Sequence, residues 1–145
     1  VFSHRRRRGG GSVRSAETEG ALISRKTYAL AALILFAIEV VIALFVRDAF
    51  IRPYVGDALA IALVYTALRA ATPLSFHSAL GLTLAIAVAI EIAQAARVLD
   101  ALGLGGSELA RIVFGGSFDW LDLLAYAVGG IVVGLVELAA PGKDA

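Results

Sequence analysis

Residues 27–46 read TYALAALILFAIEVVIALFV, an apolar run interrupted by one carboxylic acid, Glu39. In a helix, about 20 residues rise about 30 Å, which is the thickness of the hydrocarbon core of a bilayer. We therefore expect a membrane-spanning helix here. The whole chain supports this, since 59% of its 145 residues are apolar and its mean hydropathy is +0.84. Such a composition excludes a soluble enzyme of ordinary type.

Three further apolar segments follow the first one. The charged, proline-containing segment 47–57 precedes the second, a turn at 72–74 precedes the third, and a glycine-rich loop at 103–117 precedes the fourth. The predicted spans are 27–46, 55–69, 76–96 and 119–140. This pattern predicts an all-α membrane protein, a four-transmembrane-helix antiparallel bundle over residues 27–140.

The two ends of the chain are polar. Residues 1–26 include Arg5–Arg8 and little that could form a packed face, so we expect a disordered basic cytoplasmic tail, with a second tail at 141–145. A run of arginines can bind nucleic acid, but directly before a membrane segment it more often holds the tail on the cytoplasmic side. We expect no nucleic-acid partner.

Lysine and arginine residues indicate the orientation of the spans. With the N-terminus inside, nine of them lie on the inner side and four on the outer side, which favours cytoplasmic termini. The inner set is Arg5, Arg6, Arg7, Arg8, Arg14, Arg25, Lys26, Arg69 and Lys143, and the outer set is Arg47, Arg52, Arg97 and Arg111.

Acidic side chains within the spans suggest a site. A charge at the centre of a bilayer costs about 2.5–3.5 kcal/mol, so such residues normally face the bundle interior. Glu39 lies roughly 10 Å below the outer end of its helix and Glu91 roughly 9 Å below the outer end of its own, so the two occupy one level. The predicted site is one outward-facing polar pocket lined by Glu39, Arg52, Asp57, Glu91, Gln94, Asp119, Asp122 and Tyr126.

Two interpretations of these acids remain open. In the structural one, Glu39 and Glu91 are protonated or paired with arginines and hold the helices in register, while Asp119 or Asp122 caps the fourth helix. In the functional one, the pocket binds a polar or cationic group, a proton, or a lipid headgroup from the outer leaflet.

Other patterns in the sequence say less about a functional site. Gly130 and Gly134, with Gly81 on the third helix, predict close helix packing within the chain or in a homo-oligomer. The chain has no cysteine, and its two histidines lie far from the acids, so we expect neither a metal site nor a cofactor. No nucleophile lies near a suitable base, which favours a protein without catalytic activity.

Three strings resemble a known family: EVVIALFVRDAFIRPYVGD at 39–57, EIAQ at 91–94 and GSFDWLDLLAYAVG at 116–129. They are similar to the bacterial membrane proteins of domain of unknown function 2809, and the resemblance extends over most of residues 27–138. It implies a multi-pass protein of the bacterial inner membrane.

A looser resemblance is to VanZ-like proteins, which are tied to glycopeptide (teicoplanin) resistance. It rests on a Glu-x-x-Gln followed by an Asp-x-x-Asp that enters the next helix, here Glu91, Gln94, Asp119 and Asp122. Where VanZ-like proteins usually have an asparagine after the second aspartate, this chain has Tyr126 nearby.

The function that these observations favour is envelope-related binding of a polar or lipid-linked ligand in the acidic pocket. One alternative is a small transporter subunit in which Glu39 and Glu91 relay protons or cations. Another is a non-catalytic scaffold of a larger membrane complex, with the glycine faces and the basic tail as contact surfaces.

Overall fold

A computed structural model describes residues 10–114 and 118–140 of the chain. Within these residues the structure is helical and contains no strand. The elements are α1 (Gly10–Phe45), a short π-helix (Ile51–Val55), α2 (Gly56–Ala71), α3 (Phe76–Ala95), α4 (Val98–Ala101), α5 (Glu108–Phe114) and α6 (Trp120–Ala139).

In the part of the chain that the structure describes, four segments are long and apolar enough to cross a membrane: Arg25–Phe45, Ile51–Ala71, Phe76–Ala95 and Trp120–Ala139. They alternate in direction along the chain, which confirms the predicted fold class. Large apolar side chains lie exposed along the outside of these helices, as at Phe45 and Leu138, and in a lipid bilayer these surfaces contact acyl chains.

The second span, formed by the π-helix and α2, is central to the bundle. It contacts α1, α3 and α6, and it is also the least apolar of the four spans. The central position explains the low apolarity, because a span that carries polar side chains is stable in a membrane when neighbouring helices cover it.

Short polar contacts determine where the helices begin. The Ser75 hydroxyl accepts the Ser78 N–H at the start of α3, and Asp119 accepts the Leu121 N–H at the start of α6. Before the π-helix, the exposed Asp48 carboxylate accepts the backbone N–H groups of Ile51 and Phe50, each at 2.8 Å, and these bonds hold its pKa below the usual range.

The structure differs from expectation at the N-terminal side. We predicted a disordered tail through residue 26, whereas α1 begins at Gly10. A helix nucleated by an apolar span extends at little cost through good helix formers such as those of the RSAETEGAL segment at 14–22. Residues 1–9, with the arginine run, and 141–145 lie outside the described residues.

Among the described glycines of the spans, Gly129 lies closest to a neighbouring helix. A methyl group added there would lie 2.6 Å from the backbone oxygen of Ala58 and 3.0 Å from Cβ of Ile61, so only glycine lets α6 approach α2 this closely. The glycines that the sequence predicted for close packing are not in such tight contact. Gly130 and Gly134 have ordinary spacing to their neighbours, with nearest atoms at 3.5 and 3.9 Å.

Gly81 requires a correction, because it is exposed and a methyl group there would meet nothing within 4 Å. The buried stripe of α3 lies on another face and consists of Ala79, Thr83, Ala87 and Glu91, spaced four residues apart. Sequence reasoning chose the wrong face for packing within the chain because α3 is apolar almost all round.

A polar cluster ties the helices together at one end, which we call the tyrosine end; the turn between α2 and α3 lies there. The hydroxyls of Tyr28 and Tyr65 both donate to Glu137, the latter at 2.6 Å. Arg69 donates to the Tyr28 hydroxyl at 3.2 Å and to the Leu74 carbonyl oxygen at 2.7 Å. These contacts connect α1, α2, α6 and the turn before α3.

We predict that Gly129→Ala lowers the stability of the protein by about 1–3 kcal/mol, because the added methyl group forces α6 away from α2. Thermal unfolding in detergent, followed by circular dichroism, measures the effect. Gly81→Ala and Gly130→Ala are matched controls, since neither methyl group meets an obstacle. Equal melting temperatures for Gly129→Ala and Gly81→Ala would contradict the packing argument.

Candidate functional site

All eight residues predicted for the site line one cavity of about 1040 Å³. It lies at the end of the bundle opposite the tyrosine end, in the region of residues 46–50, 96–114 and 118–119. We call this end the cavity end. The eight are Glu39, Arg52, Asp57, Glu91, Gln94, Asp119, Asp122 and Tyr126. They come from α1, the π-helix, α2, α3, α6 and the residue before α6, so the cavity depends on the assembly of all four spans.

Glu91 is the most deeply buried acid, with 1% of the residue exposed. Its Oε1 accepts the hydroxyl of Tyr126 at 2.8 Å, a bond between α6 and α3. Its Oε2 is also buried but has no hydrogen-bond partner among the described residues. A buried carboxyl oxygen without a partner costs free energy, so this atom is open to a donor from a ligand or water.

Glu39 presents a second buried oxygen without a partner. Its Oε1 makes no hydrogen bond within residues 10–114 and 118–140, and its Oε2 lies on the Gly56 side, 3.7 Å from where a Cβ of Gly56 would be. The sequence left open whether Glu39 and Glu91 are protonated and hydrogen-bonded, are paired with arginines, or form a binding site. In the described part of the chain neither forms an ion pair, and Arg97 pairs with Asp100 at 2.8 Å instead.

Asp57 and Asp122 lie near each other in the cavity lining, Asp57 in the first turn of α2 and Asp122 in the first turn of α6. Two carboxylates at short range repel each other, and a proton or a positively charged group between them removes that repulsion. The two aspartates are therefore a place where the cavity can accept a proton or a positively charged donor.

Asp119 has a structural role, as the sequence suggested for one of the two aspartates. Its Oδ1 caps α6 by accepting the Leu121 N–H at 3.0 Å. Its Oδ2 faces the hydroxyl of Tyr54 at 3.4 Å. Tyr54 therefore borders the cavity next to a capping residue whose position is fixed by the helix.

The cavity mouth carries side chains that sequence reasoning missed. Arg111 and Glu108, from the short helix α5, line it together with Tyr54 and the predicted Arg52. Arg52, Arg111 and Glu108 are exposed. Glu108 and Arg111 lie on a helix of seven residues between the spans, which is too short for a periodic pattern in the sequence to assign them to the site. Between the acids, the walls are apolar and include Ile42, Ile61, Val64, Ile86 and Ile90.

The cavity offers polar groups that can bind a ligand. Carboxyl groups predominate over arginines, and the deepest polar atoms are acceptors that need donors. Among residues 10–114 and 118–140, no group of three or more His, Cys, Asp or Glu side chains is arranged to hold a metal ion. Hydrogen-bond donors that carry a positive charge are the groups that the cavity suits best.

Comparison with known proteins identifies a family. A family model described as "Protein of unknown function (DUF2809)" matches residues 46–130, from the end of the first span to the middle of α6. No curated protein and no solved structure matches the chain.

We predict that Tyr126→Phe lowers stability by about 1–3 kcal/mol, because both oxygens of the buried Glu91 carboxyl group then lack a partner. Thermal unfolding in detergent measures the loss. Tyr54→Phe is the control, and its loss should stay below about 1 kcal/mol because the Tyr54 hydrogen bond is long and half-buried.

In a Glu91→Leu background, Tyr126→Phe should cost less, since no carboxyl group remains to be left unpaired. An equal cost in both backgrounds would show that the hydroxyl acts through some other contact.

Proposed function

The chain belongs to the DUF2809 family, which is described as one of unknown function, and we propose its function from the cavity. The protein is a multi-pass protein of the bacterial inner membrane that binds a polar, lipid-linked envelope component in the acidic cavity. One observation carries this proposal: Glu39 Oε1 and Glu91 Oε2 are buried in the cavity wall and have no hydrogen-bond partner in the described part of the chain. A ligand with donor groups supplies the missing bonds.

Orientation is part of the proposal. With both termini in the cytoplasm, the cavity end faces the outer surface, and a headgroup of the outer leaflet reaches the acids directly. The support for this orientation is the excess of lysine and arginine on the N-terminal side.

A VanZ-like role at the cell envelope belongs to the same proposal. It draws support from the common location of Glu91, Gln94, Asp119 and Asp122, which all line the cavity. The four residues come from two helices and the residue before α6, and in that arrangement they provide acceptors on facing walls.

A second candidate function is transport of protons or cations. The neighbouring Asp57 and Asp122 of the cavity lining favour it, because acidic side chains that face a cavity within a membrane are typical of proton-relay sites. Ligand binding remains the first proposal, because a relay needs further groups between the cavity and the tyrosine end. The described residues buried along that path, such as Thr83 and Ala87, include no further acid.

The orientation is tested with single cysteines, since the chain has none of its own. We expect Phe50→Cys and Ser107→Cys to react with a membrane-impermeant maleimide in intact cells, because both positions lie at the cavity end. Ser75→Cys, at the tyrosine end, should react only after the cells are opened. The inverse pattern would place the cavity in contact with the cytoplasm and remove the envelope role.

Ligand binding is tested by native mass spectrometry of the full chain extracted from bacterial membranes in a mild detergent. We expect a retained adduct that falls about tenfold in Glu39→Gln and Glu91→Gln, since each change replaces an acidic side chain, which can carry a negative charge, with a neutral amide. Asp100→Asn is the matched control, because Asp100 is acidic but lies outside the cavity. Equal adducts in all four proteins would assign the buried acids a structural role alone.

A further inference from the structure

A second cavity, an apolar groove of about 450 Å³, lies on the membrane-facing side of the interface between α2 and α6. Its walls include Leu121, Leu124, Val128 and Val132 along α6. From Leu121 to Val132 the helix rises about 16 Å, roughly half of the 30 Å hydrocarbon thickness. The groove therefore has the length of one leaflet, which is the extent of a phospholipid acyl chain.

The groove and the acidic cavity meet at Tyr54, which lines both. One face of this residue belongs to the groove beside Phe50, whose ring centre is 5.1 Å from that of Tyr54. Its hydroxyl points toward Asp119 at the cavity. A molecule that lies along the groove therefore has its polar end at the cavity mouth.

The charges of the cavity are ordered from the inside outward. Carboxyl groups with unpartnered oxygens, those of Glu39 and Glu91, lie buried in the wall, while the guanidinium groups of Arg52 and Arg111 are exposed at the mouth. A ligand that matches this order carries a positive hydrogen-bond donor at its tip and a negative group just behind it.

From this continuity we propose that the ligand is a zwitterionic aminophospholipid. This inference rests on the proposed function and names its ligand class. The primary ammonium group donates hydrogen bonds to Glu39 and Glu91, the phosphate lies at Arg52 and Arg111, and one acyl chain occupies the groove between α2 and α6. A free amine or a cation would leave both the arginines and the groove without a role.

The test uses tryptophan fluorescence and lipids with brominated acyl chains, which quench a tryptophan on contact. The one native tryptophan is replaced by Trp120→Phe, and a reporter is placed in the groove by Leu124→Trp. Leu123→Trp is the matched control, because Leu123 lies at about the same depth as Leu124 and lines neither the groove nor the acidic cavity. Each full chain is reconstituted in nanodiscs of unbrominated phosphatidylcholine.

We expect brominated phosphatidylethanolamine to quench the Leu124→Trp reporter at about tenfold lower mole fraction than brominated phosphatidylglycerol, which has no ammonium group. The Leu123→Trp control should respond equally to both lipids. Adding Glu91→Gln to the Leu124→Trp reporter should raise the required fraction of phosphatidylethanolamine about tenfold, whereas adding Asp100→Asn should leave it unchanged.

Two outcomes would overturn the inference, and they differ in what they leave standing. Equal quenching by both lipids at Leu124→Trp, stronger than at Leu123→Trp, would mean a lipid site without selection for an amine, and the proposed function would survive. Identical responses at both positions would mean that no phospholipid occupies the groove. The proposed function itself fails only if the adduct in native mass spectrometry is also independent of Glu39 and Glu91.

Discussion

The contact between Gly129 and the backbone of Ala58 fixes the separation of α2 and α6, and most of the other features depend on it. The two helices run in the same direction, so one close contact sets which of their residues meet at either end. Toward the cavity end the contact places Asp57 and Asp122 in the lining of one cavity. Toward the tyrosine end it brings the Tyr65 hydroxyl within 2.6 Å of Glu137. A small residue at one position thus positions both polar clusters.

The spans and the eight cavity residues could be derived from the sequence because both follow from the free-energy cost of placing a side chain in the wrong solvent. Long apolar runs have no other stable place than a bilayer, and carboxyl groups within them must face one another or the bundle interior. Depth along each helix then places Glu39 and Glu91 at one level. The structure brings these residues together around one cavity, and their role as ligand contacts stays a prediction.

Two kinds of feature could not be derived from the sequence. One is the rotation of each helix about its own axis, and the other is contact between residues that lie far apart along the chain. Gly129 neighbours the Gly130 and Gly134 pair that the pattern favoured, and only the rotation of α6 decides which glycine meets α2. Tyr28 and Glu137 are 109 residues apart, and no local signal pairs them. Arg111 lies on a short helix outside the spans, where neither periodicity nor burial identifies it.

The two ends of the bundle differ in how firmly they are held. Hydrogen bonds at the tyrosine end join α1, α2 and α6, and the ring of Phe76 on α3 packs edge-on against Tyr65. At the cavity end the hydrogen bond between Tyr126 and Glu91 joins α6 to α3, and the other carboxyl groups border the open cavity. We therefore expect backbone amides of the helix ends around the cavity to exchange with solvent faster than those near Glu137. If the helices separate more readily at this end, a ligand can enter the cavity while every helix stays folded.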